Sequence, residues 1–142
     1  MMWNLLWPML IVICANTVYN ISTKSTPADI NSFASLAVTY TVAAVSSLLL
    51  FFITSENRDL AAELTKTNWT AFALGIAIVA LEFGFICIYR AGWKISIASL
   101  VANISLACIL LLVGVLIYRE TISARQVIGM LLSAAGLILI AK

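Results

Sequence analysis

One carboxylate lies inside a long apolar segment of this 142-residue chain. Phe85 and Tyr89 follow Glu82 by about one and two helical turns, so the three side chains share one face of a helix. A carboxylate can exchange a proton or bind a cation, and aromatic faces attract organic cations. An ionisable group within a membrane is rare and by default suggests function. The sequence therefore predicts a proton or cation site at Glu82.

Polar side chains in other apolar segments extend the predicted site. The residues that we expect to bind substrate or a proton are Glu82, Tyr89, Asn103, Ser99, Asn16 and Trp7. A structural alternative stays open, in which Glu82 is protonated or hydrogen-bonded and is held by Asn103 or Ser99.

The residue types argue against enzyme and metal chemistry. The chain has no histidine, and its three cysteines, Cys14, Cys87 and Cys108, lie singly in three segments without a C-x-x-C spacing. No nucleophile and base pair or phosphate-binding loop is evident, and a lone carboxylate lacks a second acid or base. We expect no enzymatic activity, no cofactor and no metal.

Composition identifies the elements that must position these side chains. The chain is 63% hydrophobic and 10% charged, with a mean hydropathy of +1.11, which excludes a soluble globular domain. A helix needs about 20 apolar residues to cross about 30 Å of hydrocarbon. The sequence predicts an all-α membrane protein, a single transmembrane domain over residues 1–142. Its five predicted spans are residues 3–20, 31–53, 69–89, 95–118 and 123–141.

Small residues recur at helical spacing along the third, fourth and fifth spans. On the third span they form a stripe opposite Glu82, and such stripes let membrane helices approach closely. We expect the stripe to contact another helix while Glu82 faces an open space. The predicted packing residues are Ala73, Ala77, Ala80, Gly84, Gly129, Ser133 and Gly136.

Local signals mark two helix starts and one helix end. Asp59 can cap a short interfacial helix in the polar stretch 54–68. Ser123 and Gln126 have the spacing of a capping box, in which each side chain accepts a backbone N–H of the other residue. Glu120 is interpreted as a structural residue at the end of the fourth span rather than as a substrate ligand.

The basic residues do not fix the orientation of the chain. Five spans put alternate loops on opposite sides, and four lysines and arginines fall on each side. Either the orientation is fixed in a way that this count does not detect, or copies insert both ways and pair antiparallel. A net charge of +2 is too small to suggest a nucleic-acid partner.

The second half of the chain also carries a family pattern. Its residues are Tyr89-Arg90-Ala91, Ile95 to Ser99, Gly114, Arg119-Glu120, Ser123, Gln126, Gly129 and Gly136. In this pattern the chain resembles the EamA-like branch of the drug/metabolite transporter superfamily. Members of this branch typically have ten helices, arranged as two inverted five-helix repeats around a central pathway for small metabolites or drugs. This chain matches one such repeat.

The resemblance also sets a contrast with the related small multidrug resistance proteins. Those have four helices, function as antiparallel dimers and carry a carboxylate in the first helix. Here the first span has no carboxylate, and Glu82 lies in the third. This departure argues against drug efflux by their mechanism.

Together these features predict a half-size transporter in the cell inner (plasma) membrane. We expect an exporter of small metabolites or drugs that works by alternating access, proton-coupled through Glu82. Its partners would be the lipid bilayer, its substrate, and an antiparallel second copy or a paralogous half. The alternative is a non-transporting membrane subunit that stabilises another transporter half.

Overall fold

A computed structural model describes the backbone of residues 3–141 and the side chains of residues 6–136 and 139. Over these residues the chain is all-α, as predicted. Lys142, which entered the charge count, lies outside the described residues. The helices are α1 (Trp3–Lys24), α2 (Ser32–Thr54), α3 (Leu60–Leu64), α4 (Trp69–Arg90), α5 (Ile95–Leu116) and α6 (Ala124–Ala141).

Several of these helices can cross a bilayer. Within the described residues, four helical stretches are long and apolar enough to span a membrane, namely Leu6–Lys24 of α1 and the whole of α2, α4 and α5. Helix α6 has 18 residues, but the structure does not describe all of its side chains. The chain is a multi-pass membrane protein, and the fifth crossing stays a prediction.

The chain divides into two compact units. The first unit comprises Met1–Asn20 and Ala91–Lys142, and the second comprises Ile21–Arg90. Helix α1 passes from the first unit into the second after Asn20. That all the spans form one transmembrane domain stays a prediction.

Helices α5 and α6 of the first unit pack against each other, and residues 117–123 connect them. Arg119 adopts a positive φ of 54°, and the Glu120 N–H donates to the Gly114 carbonyl at 3.0 Å. A Cβ atom placed on Gly114 would lie 2.7 Å from Glu120 Oε2. Glycine at this buried position therefore lets the Glu120 side chain lie against the end of α5, as a structural residue would.

The two predicted helix starts are confirmed. The Ser123 N–H donates to Gln126 Oε1 at 2.8 Å, and the Gln126 N–H donates to Ser123 Oγ at 3.4 Å. Asp59 accepts a bond from the Ala62 N–H at 3.0 Å and caps α3. Both caps satisfy backbone donors that a helix start leaves without intrahelical partners.

Candidate functional site

The second unit contains Glu82, and its architecture starts from a contact between α2 and α4. Arg90, the last residue of α4, donates from Nη1 to Ser32 Oγ at 2.9 Å. Its Nη2 donates to the carbonyl oxygens of Pro27 and Ile30 at 3.1 and 2.7 Å. The C-terminus of α4 thus lies beside the N-terminus of α2, so the two helices are antiparallel. A cation at this end also complements the negative pole of the α4 dipole.

From this end the two helices stay in register along one face. One turn deeper, Leu36 on α2 and Ile86 on α4 are both buried, at 4% and 3% exposure. The same four-residue step on each helix then brings Tyr40 level with Glu82. At 1.5 Å per residue this level is about 12 Å from the Arg90 end. The carboxylate therefore lies well inside the apolar part of the span.

Tyr40 is the side chain that α2 presents to Glu82. Its hydroxyl oxygen is buried and interacts with the Glu82 carboxyl group, although the pair does not have ordinary hydrogen-bond geometry. Glu82 itself is only partly covered. Sequence reasoning missed Tyr40. The available signal was that Tyr40 and Glu82 lie equally far from Ser32 and Arg90, the helix ends that an antiparallel pair brings together.

Tyr89 lies in the same unit, at the Arg90 end rather than at the level of Glu82. Its side chain is 5% exposed, and its ring centroid is 6.1 Å from that of Phe85. The ammonium group of Lys24 lies 5.5 Å from the Tyr89 ring centroid and donates to the Tyr89 carbonyl oxygen at 3.4 Å. The aromatic face that was expected to attract a cation therefore already contacts one from the chain itself.

Within this unit, helix α4 contacts α2 through the face opposite to the small-residue stripe, although the stripe was the face expected to make the contact. Glu82, Ile86 and Tyr89 are covered to different degrees, whereas Ala73 and Ala77 in the small-residue stripe are exposed. Ala80 is also exposed, and a Cβ atom on Gly84 would meet no atom within 4 Å. The face that carries Glu82 thus faces α2 instead of an open space. A packing role for the stripe stays a prediction and would need another partner.

The covered part of the α2–α4 pair ends at the level of Tyr40 and Glu82. Beyond it, all ten residues from Thr41 to Leu50 are exposed, and so are all ten from Trp69 to Ile78. We call the part from Tyr40 and Glu82 to the Arg90 end the covered half, and the remainder of both helices the open half. The carboxylate marks the boundary between them.

The other predicted site residues lie in the first unit. The Asn20 side-chain amide donates to the carbonyl oxygen and to Oδ1 of Asn16, at 2.8 and 2.7 Å. Asn103 Nδ2 donates to the carbonyl oxygen and Oγ of Ser99, at 2.8 and 3.2 Å. Trp7 is 50% exposed. Ser99 and Asn103 thus meet within one helix, and the place of all four residues beside Glu82 stays a prediction.

The predicted packing residues of α6 also lack close contacts with the other described residues. Gly129 and Ser133 are exposed, and Cβ atoms built on Gly129 and Gly136 would meet no atom within 4 Å. The Ser133 hydroxyl donates to the Gly129 carbonyl oxygen at 2.9 Å, which satisfies it within its own helix. Their predicted role in helix packing stays a prediction.

Among the described residues, no three of the histidine, cysteine, aspartate or glutamate side chains are grouped so that they could hold a metal ion. The chemistry that the second unit offers is instead one carboxylate beside one phenol, in apolar surroundings.

Comparison with known proteins gives one family. The model of the EamA-like transporter family matches residues 2–142. Neither the curated proteins nor the solved structures give a match.

Proposed function

Since the chain belongs to the EamA-like transporter family, we propose that it is a half-size transporter of small molecules. In this proposal two copies pair antiparallel, or one copy pairs with a paralogous half, and the assembly exports its substrate across the plasma membrane by alternating access. Membership of a transporter family favours this function over an enzymatic one.

The position of Glu82 supports the proposal most directly. It is the one acidic residue in the predicted spans, and it lies on α4 where the covered half gives way to the open half. A carboxylate inside a membrane is costly when ionised and uncompensated, so it is suited to exchange its charge for a proton or to pair with a cationic substrate. We propose that Glu82 couples substrate movement to protons.

Two observations support a paired assembly. The even distribution of basic residues lets the chain insert in either orientation, and an antiparallel pair would recreate two inverted repeats. The open half of α4 also carries the exposed residues Ala73 and Ala77, which would permit close approach of another helix.

Transport can be tested in vesicles that contain the purified protein. With ethidium as a cationic probe and an imposed proton gradient, we expect pH-dependent ethidium movement that Glu82→Gln abolishes. Glu120→Gln is the matched control, because Glu120 lies at a helix end. A Glu82→Gln variant that moves ethidium with an unchanged pH profile would contradict coupling through Glu82.

The assembly needs its own test. Reporters fused after Lys142 should be found on both sides of the membrane if the chain inserts both ways, and a single clean orientation excludes dual topology. The mass of the detergent-solubilised protein should be that of a dimer. A monomer that is stable only with another chain would favour the alternative of a partner subunit.

A further inference from the structure

The hydroxyl groups of α2 differ in how they are satisfied. Thr39 and Thr41 flank Tyr40, and they donate to the carbonyl oxygens one turn back, at 3.1 and 2.8 Å. Ser47 and Thr54 do the same, both at close range. The phenol of tyrosine is too long and rigid to make this local bond. The Tyr40 hydroxyl must therefore find its partner on another helix.

Glu82 is the acceptor that α4 brings to the level of Tyr40. The register between α2 and α4 brings the two side chains level, and the Tyr40 hydroxyl is buried close to the Glu82 carboxyl group. A buried hydroxyl without an acceptor is costly in apolar surroundings, and a carboxylate is the strongest acceptor that a protein offers.

We propose that Tyr40 is a positioning residue for Glu82: its hydroxyl donates to the ionised carboxylate and releases it when a proton or a cation binds. The coupling role of the pair rests on the proposed function, whereas the pairing itself does not. In the ionised state the bond holds the carboxylate against α2, in the covered half. Once protonated or paired with a cation, the carboxyl group no longer needs this donor and can turn toward the open half.

Other charged and titratable groups of the second unit lie away from this pair. Lys24, Tyr89 and Arg90 are grouped at the helix ends. Arg90 lies about 12 Å from Glu82 along α4. Cys87 is exposed on α4. Within the described part of this unit, Tyr40 is thus the titratable group that faces Glu82 from the helix packed against it.

The pairing can be measured without knowing the substrate. Dicyclohexylcarbodiimide reacts with protonated carboxyl groups in apolar surroundings, so labelling of Glu82, read by peptide mass, reports its protonation. In Tyr40→Phe the ionised carboxylate loses a donor, and we expect the labelling midpoint to move to higher pH by about one unit. Tyr118→Phe is the matched control, because Tyr118 is 72% exposed. A midpoint that Tyr40→Phe leaves unchanged overturns the proposal.

A second measurement needs no variant in Tyr40. The infrared difference spectrum of the unaltered protein between low and high pH should contain the Glu82 carboxyl band, identified by its loss in Glu82→Gln. A tyrosine phenol band should change over the same pH range. A carboxyl band that titrates with no accompanying tyrosine band overturns the pairing, even if Tyr40→Phe fails to fold.

The two proposals fail in different ways. If Tyr40→Phe shifts the labelling midpoint but the unaltered protein moves no ethidium, the pair exists and the transport proposal fails for this probe. If ethidium movement depends on Glu82 but neither the labelling midpoint nor the infrared spectrum involves Tyr40, transport stands and the pairing is wrong.

Discussion

The covered half and the open half of the α2–α4 pair are similar in apolar composition but differ in how far their side chains are buried. Both are apolar stretches of the same two helices. In the covered half, Leu36 and Ile86 are buried and Arg90 ties the helix ends together. In the open half, all residues from Thr41 to Leu50 are exposed. Apolar character therefore places these helices in a membrane, whereas the polar bonds of Arg90 mark the end at which they pack.

The largest expected difference in stability separates two isoleucines on α4. Ile86 is 3% exposed in the covered half, and Ile78 is 42% exposed in the open half. Ile86→Ala removes packed atoms and leaves a cavity, so we expect a loss of about 2 kcal/mol in the free energy of unfolding. Ile78→Ala is the matched control and should cost less than about 0.5 kcal/mol. Unfolding in mixed detergent micelles measures both, and equal losses would contradict the division into two halves.

Sequence predicted the local features of this pair and missed its contact. The Asp59 cap follows from residues close together in the chain, and it was found. The packed face of α4 was not, because lipid is as apolar as the helix and leaves no amphipathic pattern to reveal which side is buried. An alanine stripe and a carboxylate face are both reasonable contacts in such a helix. Contacts between residues far apart in the chain decide between them, such as the bond between Arg90 and Ser32, 58 residues apart.

The next largest effect should come from breaking the tie at the covered end. Arg90 makes three hydrogen bonds to Ser32, Pro27 and Ile30, and bonds from charged donors are stronger than neutral ones. The Arg90 side chain is exposed, so we expect Arg90→Gln to lower the free energy of unfolding by about 1–2 kcal/mol. Arg58→Gln, in the exposed loop at the opposite end, should have almost no effect. If the two variants are equally stable, the tie does not hold the pair.

A smaller effect is expected from the cation over Tyr89. Lys24→Gln removes the contact between the ammonium group and the ring, which at an exposed site contributes about 0.5–1 kcal/mol. Lys24→Arg keeps a cation over the ring and should retain most of the stability. Unfolding of the two variants in mixed detergent micelles measures both effects. A Lys24→Arg variant as unstable as Lys24→Gln would show that the cation–π contact is not what matters.

The smallest effect is expected at the end of the open half, in the loop that contains α3. Among the described residues, the hydrogen bonds of this loop are local ones. Asp59 caps α3 by accepting the Ala62 N–H, and α3 has only five residues, all outside the packed pair. Asp59→Ala should therefore raise amide hydrogen exchange in α3 by several-fold and leave the unfolding of the second unit unchanged, because losing a cap costs about 1 kcal/mol locally. Glu56→Ala removes the same charge from the same loop and should change neither. If Asp59→Ala destabilised the unit as much as Arg90→Gln, the open end would be coupled to the covered half, and the boundary at Glu82 would lose its meaning.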